Sequence, residues 1–162
     1  MTVPSELILI LHLVSLSFFI GGQFFYLFIV QPASYQFFST NDQIRYMQNV
    51  LRRQNPVLLL ALCLVVVTGG FMITPLKSAL GQSYFSIFGT KLMHKLGYFF
   101  IVFFITTYQT LAVGFKIRYL DPAGEMLKLK EKLASVRLGM TVTAVLNILI
   151  TSYIIYLARN LG

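Results

Sequence analysis

Charge is scarce in this chain. Charged residues make up 11% of its 162 residues, and only five are acidic, where an ordinary soluble domain carries about 25%. That composition excludes a soluble enzyme and a disordered tail. There is one cysteine, Cys63, so no intrachain disulfide forms and a disulfide scaffold is excluded as well. Tryptophan is absent and there are two histidines. No Walker loop, dinucleotide fingerprint, catalytic triad or HExxH zinc motif occurs. No acidic residue falls inside an apolar stretch except Glu6 at an edge, which speaks against a pump built on buried carboxylates.

What the chain has instead is apolar length. Hydrophobic residues are 57% of the total and the mean hydropathy is +0.76. Four stretches, about 6–30, 56–74, 89–115 and 138–158, each suffice to cross a bilayer, which takes roughly 20 residues. The first is too long and lacks the basic start of a cleaved signal peptide. Four spans with short connections predict an all-α, polytopic up-down-up-down four-helix bundle. They fill the sequence as one transmembrane domain.

The net charge of +8 is read as orienting charge rather than as a nucleic-acid surface. Arg45, Arg52 and Arg53 lie in the first connection. Lys116, Arg118, Lys128, Lys130, Lys132 and Arg137 lie in the third. The positive-inside rule then places both connections in the cytoplasm and both termini outside, in a bacterial-type plasma membrane. Asp121-Pro122 reads as a helix start. Met126, Leu129 and Leu133 follow at helical spacing, as an extension of the fourth helix, a basic helix on anionic lipid or a solvated helix.

His12 and His94 both fall inside spans, on helices that run in the same direction, at similar depth near the outer face. Their surroundings look alike, Leu11-His12 before Phe18-Phe19-Ile20 and Met93-His94 before Phe99-Phe100-Ile101, which hints at a repeat of helix pairs. Ionisable groups within a span usually face the interior and mark a site. Two imidazoles at one level could ligate one metal, and a haem iron between them would have two axial nitrogens. Ser15, Phe19, Gly22 and Gln23 share a face with His12, and Gly21-Gly22 and Gly69-Gly70 allow close approach of a helix or a flat ligand. A histidine can equally serve only as an interhelical hydrogen-bonding group. Lys95 could pair with a haem propionate, although from the residues alone snorkelling to the interface is the simpler reading. Thr68, Thr151 and Ser152 fit the same outer layer, while Gln23, Gln109, Tyr108, Thr141 and Asn147 fit deeper ones as interhelical glue.

Leu11-His12, Phe19, Gly21-Gly22, Phe24 and Pro32 together resemble the opening helix of the copper resistance protein D (CopD-like) family and of the HemJ-type protoporphyrinogen oxidases. Arg52-Arg53 through Thr68-Gly69, and Phe88-Gly89 through Leu92 and Lys95-Leu96, resemble the second and third helices of CopD-like domains. The resemblance implies a four-helix membrane unit with b-type haem, His12 as an axial ligand and Lys95 in support. The chain departs from the HemJ pattern at Phe28, Pro32, Ala33, Met140 and Thr141, and His94 precedes Lys95 by one residue where that family's histidine precedes by two. The expectation is therefore a membrane haem b protein, with His12 and His94 as metal ligands and Lys95, Ser15, Phe19 and Gly22 around the cofactor. It would carry out electron transfer or a haem-linked oxidation with a separate redox partner. Copper handling, with Met72 or Met93 as soft ligands, and a non-enzymatic membrane subunit are the alternatives. Self-association into a homo-oligomer fits any of them.

Overall fold

The computed structural model describes residues 5–37, 39–81, 83–120 and 126–159, and every long element in it is helical. Helix α1 runs Ser5–Phe25, widens into a π turn at Tyr26–Val30 and ends with Gln31–Ser34. Helix α2 is Thr40–Leu80. Helix α3 runs Ser83–Tyr108, widens at Gln109–Val113 and ends with Gly114–Arg118. Helix α4 is Met126–Arg159. Each contains a segment long and apolar enough to cross a membrane, so the chain is a multi-pass membrane protein. Consecutive helices pack side by side and α4 returns against α1. The four form an up-down-up-down ring in which α1 and α3 are diagonal.

The helices extend past the expected spans, farthest at the basic end, where α2 starts at Thr40 and α4 at Met126, and by six residues each at the other end of α2 and the start of α3. Helix α2 begins at Thr40, capped by Ser39, whose Oγ accepts from the Asn41 N–H at 3.2 Å. Pro56, which as a helix starter would open the second span, lies inside α2. Its 41 residues give a rod of about 60 Å, against a hydrocarbon layer of about 30 Å. Helix α4 likewise starts at Met126. Asp121-Pro122 lies outside the described residues. The segment of Leu129 and Leu133 is an extension of the fourth helix with its apolar side covered: both leucines are buried.

Those extensions contribute much of the larger of two cores, together with the adjoining ends of the spans. Tyr26, Val30, Ile44, Met47, Leu51, Val113, Ile117, Leu120, Leu129, Leu133, Val136, Met140 and Ala144 form one buried cluster. Phe19, Leu58, Ala61, Leu62 and Val102 form a smaller one nearer the histidines. The asymmetry has a physical cause. Lipid tails are as apolar as leucine, so helices gain little from apolar burial within the bilayer. Where the helices project into water, the hydrophobic effect acts at full strength. Gln48 closes this end, its Nε2 donating to the Ile117 and Leu120 carbonyls at 2.9 and 3.1 Å.

Polar layers alternate with these cores. Toward the other end His12 meets Thr68, and Ser15 and Thr151 are buried. A buried amide layer follows, where Gln109 Nε2 donates to Gln23 Oε1 at 3.5 Å and Asn147 Nδ2 donates to Thr106 Oγ1 and Gln109 Oε1 at 3.2 and 3.3 Å. At the basic end Arg137 donates through one terminal nitrogen to Ser34 Oγ and Gln43 Oε1 at 3.0 and 2.9 Å, and its guanidinium lies 4.1 Å from the Tyr35 ring centre.

Candidate functional site

On α1 the inward positions are His12, Ser15, Phe19, Gln23, Tyr26 and Val30, spaced by three or four residues. Ser15 and those beyond it are all buried, and His12 is half-buried at the outer end of the line. Its Nδ1 lies 2.9 Å from Thr68 Oγ1 on α2. The tautomer follows from the threonine. Thr68 Oγ1 is also 2.6 Å from the Leu64 carbonyl and 3.2 Å from that of Val65, and a carbonyl only accepts. The single hydroxyl hydrogen is therefore given backwards along α2, and Oγ1 meets the imidazole as an acceptor. Nδ1 is the donor, and in the neutral ring Nε2 keeps its lone pair. Gly69 lies against the ring: a Cβ there would sit 3.4 Å from His12 Cε1, in ordinary contact with it.

On α3 the inward line contains Val102, Thr106, Gln109 and Val113, all buried. Seven residues make two helical turns to within about 20°, so the line runs back from Gln109 through Val102 to Lys95. Lys95 is half-buried and His94 is exposed. The His94 ring turns back on its own helix, with Nδ1 2.9 Å from the Thr90 carbonyl. The structure thus places His12 half-buried against α2 and His94 on the exposed side of α3. Consecutive helical residues point about 100° apart, and it is Lys95, not His94, that continues the buried line of α3. The pairs Phe19–Val102 and Val30–Val113 each fall in one buried cluster.

The remaining expected site residues take structural places. Phe19 is fully buried in the small core and floors the histidine layer. Gly22 is where α1 meets α2: a Cβ there would collide with the Leu58 side chain, and its carbonyl accepts from Gln54 Nε2 at 2.6 Å. Ser15 is buried beside the histidine layer. Thr151 of α4 is buried with a hydroxyl that has no partner. Met93, next to His94, and Met72 both face outwards.

Sequence reasoning placed Arg137 among loop cations and missed its role at the basic end. The available signal was its position as the last cation before the fourth apolar stretch. Among the described residues, no group of three or more His, Cys, Asp or Glu side chains gathers as a set of metal ligands. No protein-family model matches the chain, nor does any curated protein or solved structure.

Proposed function

We propose that this chain is a multi-pass membrane protein that binds haem b through His12 and carries out electron transfer or a haem-linked oxidation. The observation that supports it is the His12–Thr68 hydrogen bond, which fixes the imidazole with Nδ1 protonated and Nε2 free. A metal-ligating histidine is held in this way, its second nitrogen donating to an oxygen that sets tautomer and ring orientation.

The donor set fits a porphyrin better than a bare ion. A bare zinc or copper(II) ion takes three or four protein ligands. A haem iron brings four ring nitrogens and needs only one or two more, which His12 alone can begin to supply. Lys95, diagonal to His12, would neutralise a propionate. The partnerless Thr151 hydroxyl would offer a hydrogen bond to a group bound in the histidine layer. Phe19 separates that layer from the amides beneath, so a bound group stays at the histidine end. Bound there, haem would supply one-electron chemistry. By the positive-inside rule the site opens toward the outer face, where a redox partner would meet it.

The test is the absorption spectrum of the purified protein, oxidised and then dithionite-reduced, beside His12→Ala and His94→Ala. A sharp reduced b-type band that disappears in His12→Ala and persists in His94→Ala is the expected result. Loss in both variants would make His94 a second ligand. A protein that stays colourless when haem is supplied, or a band that survives in His12→Ala, overturns the assignment. In the colourless case, stoichiometric copper uptake that depends on the histidines would put copper handling in its place.

A further inference from the structure

Helices α1 and α2 leave a groove of about 990 Å³ on the outside of the bundle. This is the upper end of the range for ligand sites, about 300–1,000 Å³. Its walls include Phe18, Phe25 and Val57, which are 65%, 48% and 53% exposed. Its floor is Gly21, where an added Cβ would meet nothing within 4 Å. The glycine is therefore not required for helix packing at that point. It leaves an open trough, whereas Gly22 beside it is pressed against Leu58.

Polar groups gather toward the basic end of the groove, where Asn49, Arg53 and Gln54 line it. Arg53 is exposed, and among the described residues no acidic side chain lines the groove. Gln54 donates its nitrogen to Gly22, while its amide oxygen is buried with no donor. The site thus offers a long apolar trough, a cation at one end and an acceptor beside it.

We infer that this groove is a binding site for an anionic phospholipid of the leaflet at the basic end. The acyl chains would lie over Gly21 between Phe18 and Phe25, the phosphate would meet Arg53, and a headgroup hydroxyl would donate to Gln54. Basic pockets between spanning helices hold anionic headgroups in this way. Charge decides against the competing occupant, a second copy of the chain. A two-fold contact through the groove is self-complementary and would bring two Arg53 side chains together. The inference does not depend on haem, since no histidine lines the groove.

Native mass spectrometry of the detergent-purified protein, titrated with phosphatidylglycerol and with phosphatidylcholine, tests it. Wild type should bind phosphatidylglycerol more tightly. Arg53→Gln should weaken it by about fivefold, the worth of one cation at a lipid surface, and leave phosphatidylcholine unchanged. Arg45→Gln, an exposed arginine of α2 outside the groove, should have no effect. Gly21→Leu, whose Cβ meets nothing within 4 Å, extends a side chain into the trough and should weaken both lipids. Equal binding of the two lipids by wild type overturns the inference. So do equal losses in Arg45→Gln and Arg53→Gln, or unchanged binding in Gly21→Leu. A wild-type dimer that Gly21→Leu dissociates would assign the groove to self-association instead.

Discussion

Thr68 accepts the Nδ1 proton of His12 because its own hydroxyl hydrogen is committed to the backbone of α2. A second partner of this kind is worth about 10–100-fold in metal affinity. Thr68→Val should therefore weaken haem binding by that order, while Thr68→Ser, which keeps the oxygen, should restore most of it. Haem titration followed by absorbance reads both. Equal affinity in wild type and Thr68→Val would mean that the threonine does not orient a ligand.

Lys95 is half-buried and His94 is exposed. Lys95→Gln should lower haem affinity by about tenfold, the low end for a hydrogen bond to a charged group. It should also shift the midpoint potential, because a positive charge near the iron is lost. Lys95→Arg should recover part of both. Potentiometric titration of the three proteins decides it, and an unchanged potential in Lys95→Gln would place the lysine away from the cofactor.

Arg137 is held by Ser34 and Gln43 and stacked on Tyr35. Arg137→Ala should destabilise the folded protein by about 2–3 kcal/mol, the scale of hydrogen bonds to a charged group. Arg137→Lys should not rescue it, since an ammonium lacks the planar stack and fork of the guanidinium. Thermal unfolding in detergent measures both. The reduced haem spectrum should keep its shape, because the clasp lies at the opposite end from His12.

Asn147 donates to both Thr106 and Gln109 within the buried amide layer. Asn147→Ala should cost about 0.5–2 kcal/mol, the range for interhelical hydrogen bonds inside membranes. Unfolding of Asn147→Ala and of the double variant with Thr106→Ala gives the coupling of the pair. Strict additivity would show that the bond contributes nothing.

The four spans were legible because apolar runs of that length have few other uses. The helical extensions were less so. Arg45, Arg52 and Arg53 read as loop charge, yet Ile44, Met47 and Leu51, now buried together, already repeat at helical spacing among them. Cations on the water side of a helix and in a loop look alike until the apolar period is counted. The choice of His94 over Lys95 was a matter of phase. Depth along a helix places a residue to within a turn, but one residue changes its direction by about 100°. Val102 and Gln109 carried the phase, at seven-residue steps from Lys95. The π turns leave no comparable trace in composition, and neither does the Arg137 clasp, whose acceptors come from distant parts of the chain.

The widened turns at Tyr26–Val30 and Gln109–Val113 each close with a hydrogen bond reaching back five residues, from Gln31 to Tyr26 and from Gly114 to Gln109. Such a turn is an α-helix carrying one surplus residue. Elsewhere in α1 or α3, losing a residue would rotate everything beyond it off the bundle axis. Within these two turns the loss would convert five-residue hydrogen bonding into ordinary four-residue hydrogen bonding, with both flanks still facing inward. The same diagonal pair of helices that carries His12 and Lys95 therefore holds, starting at or next to the amide layer, two positions where chain length can change without turning the site away from the axis.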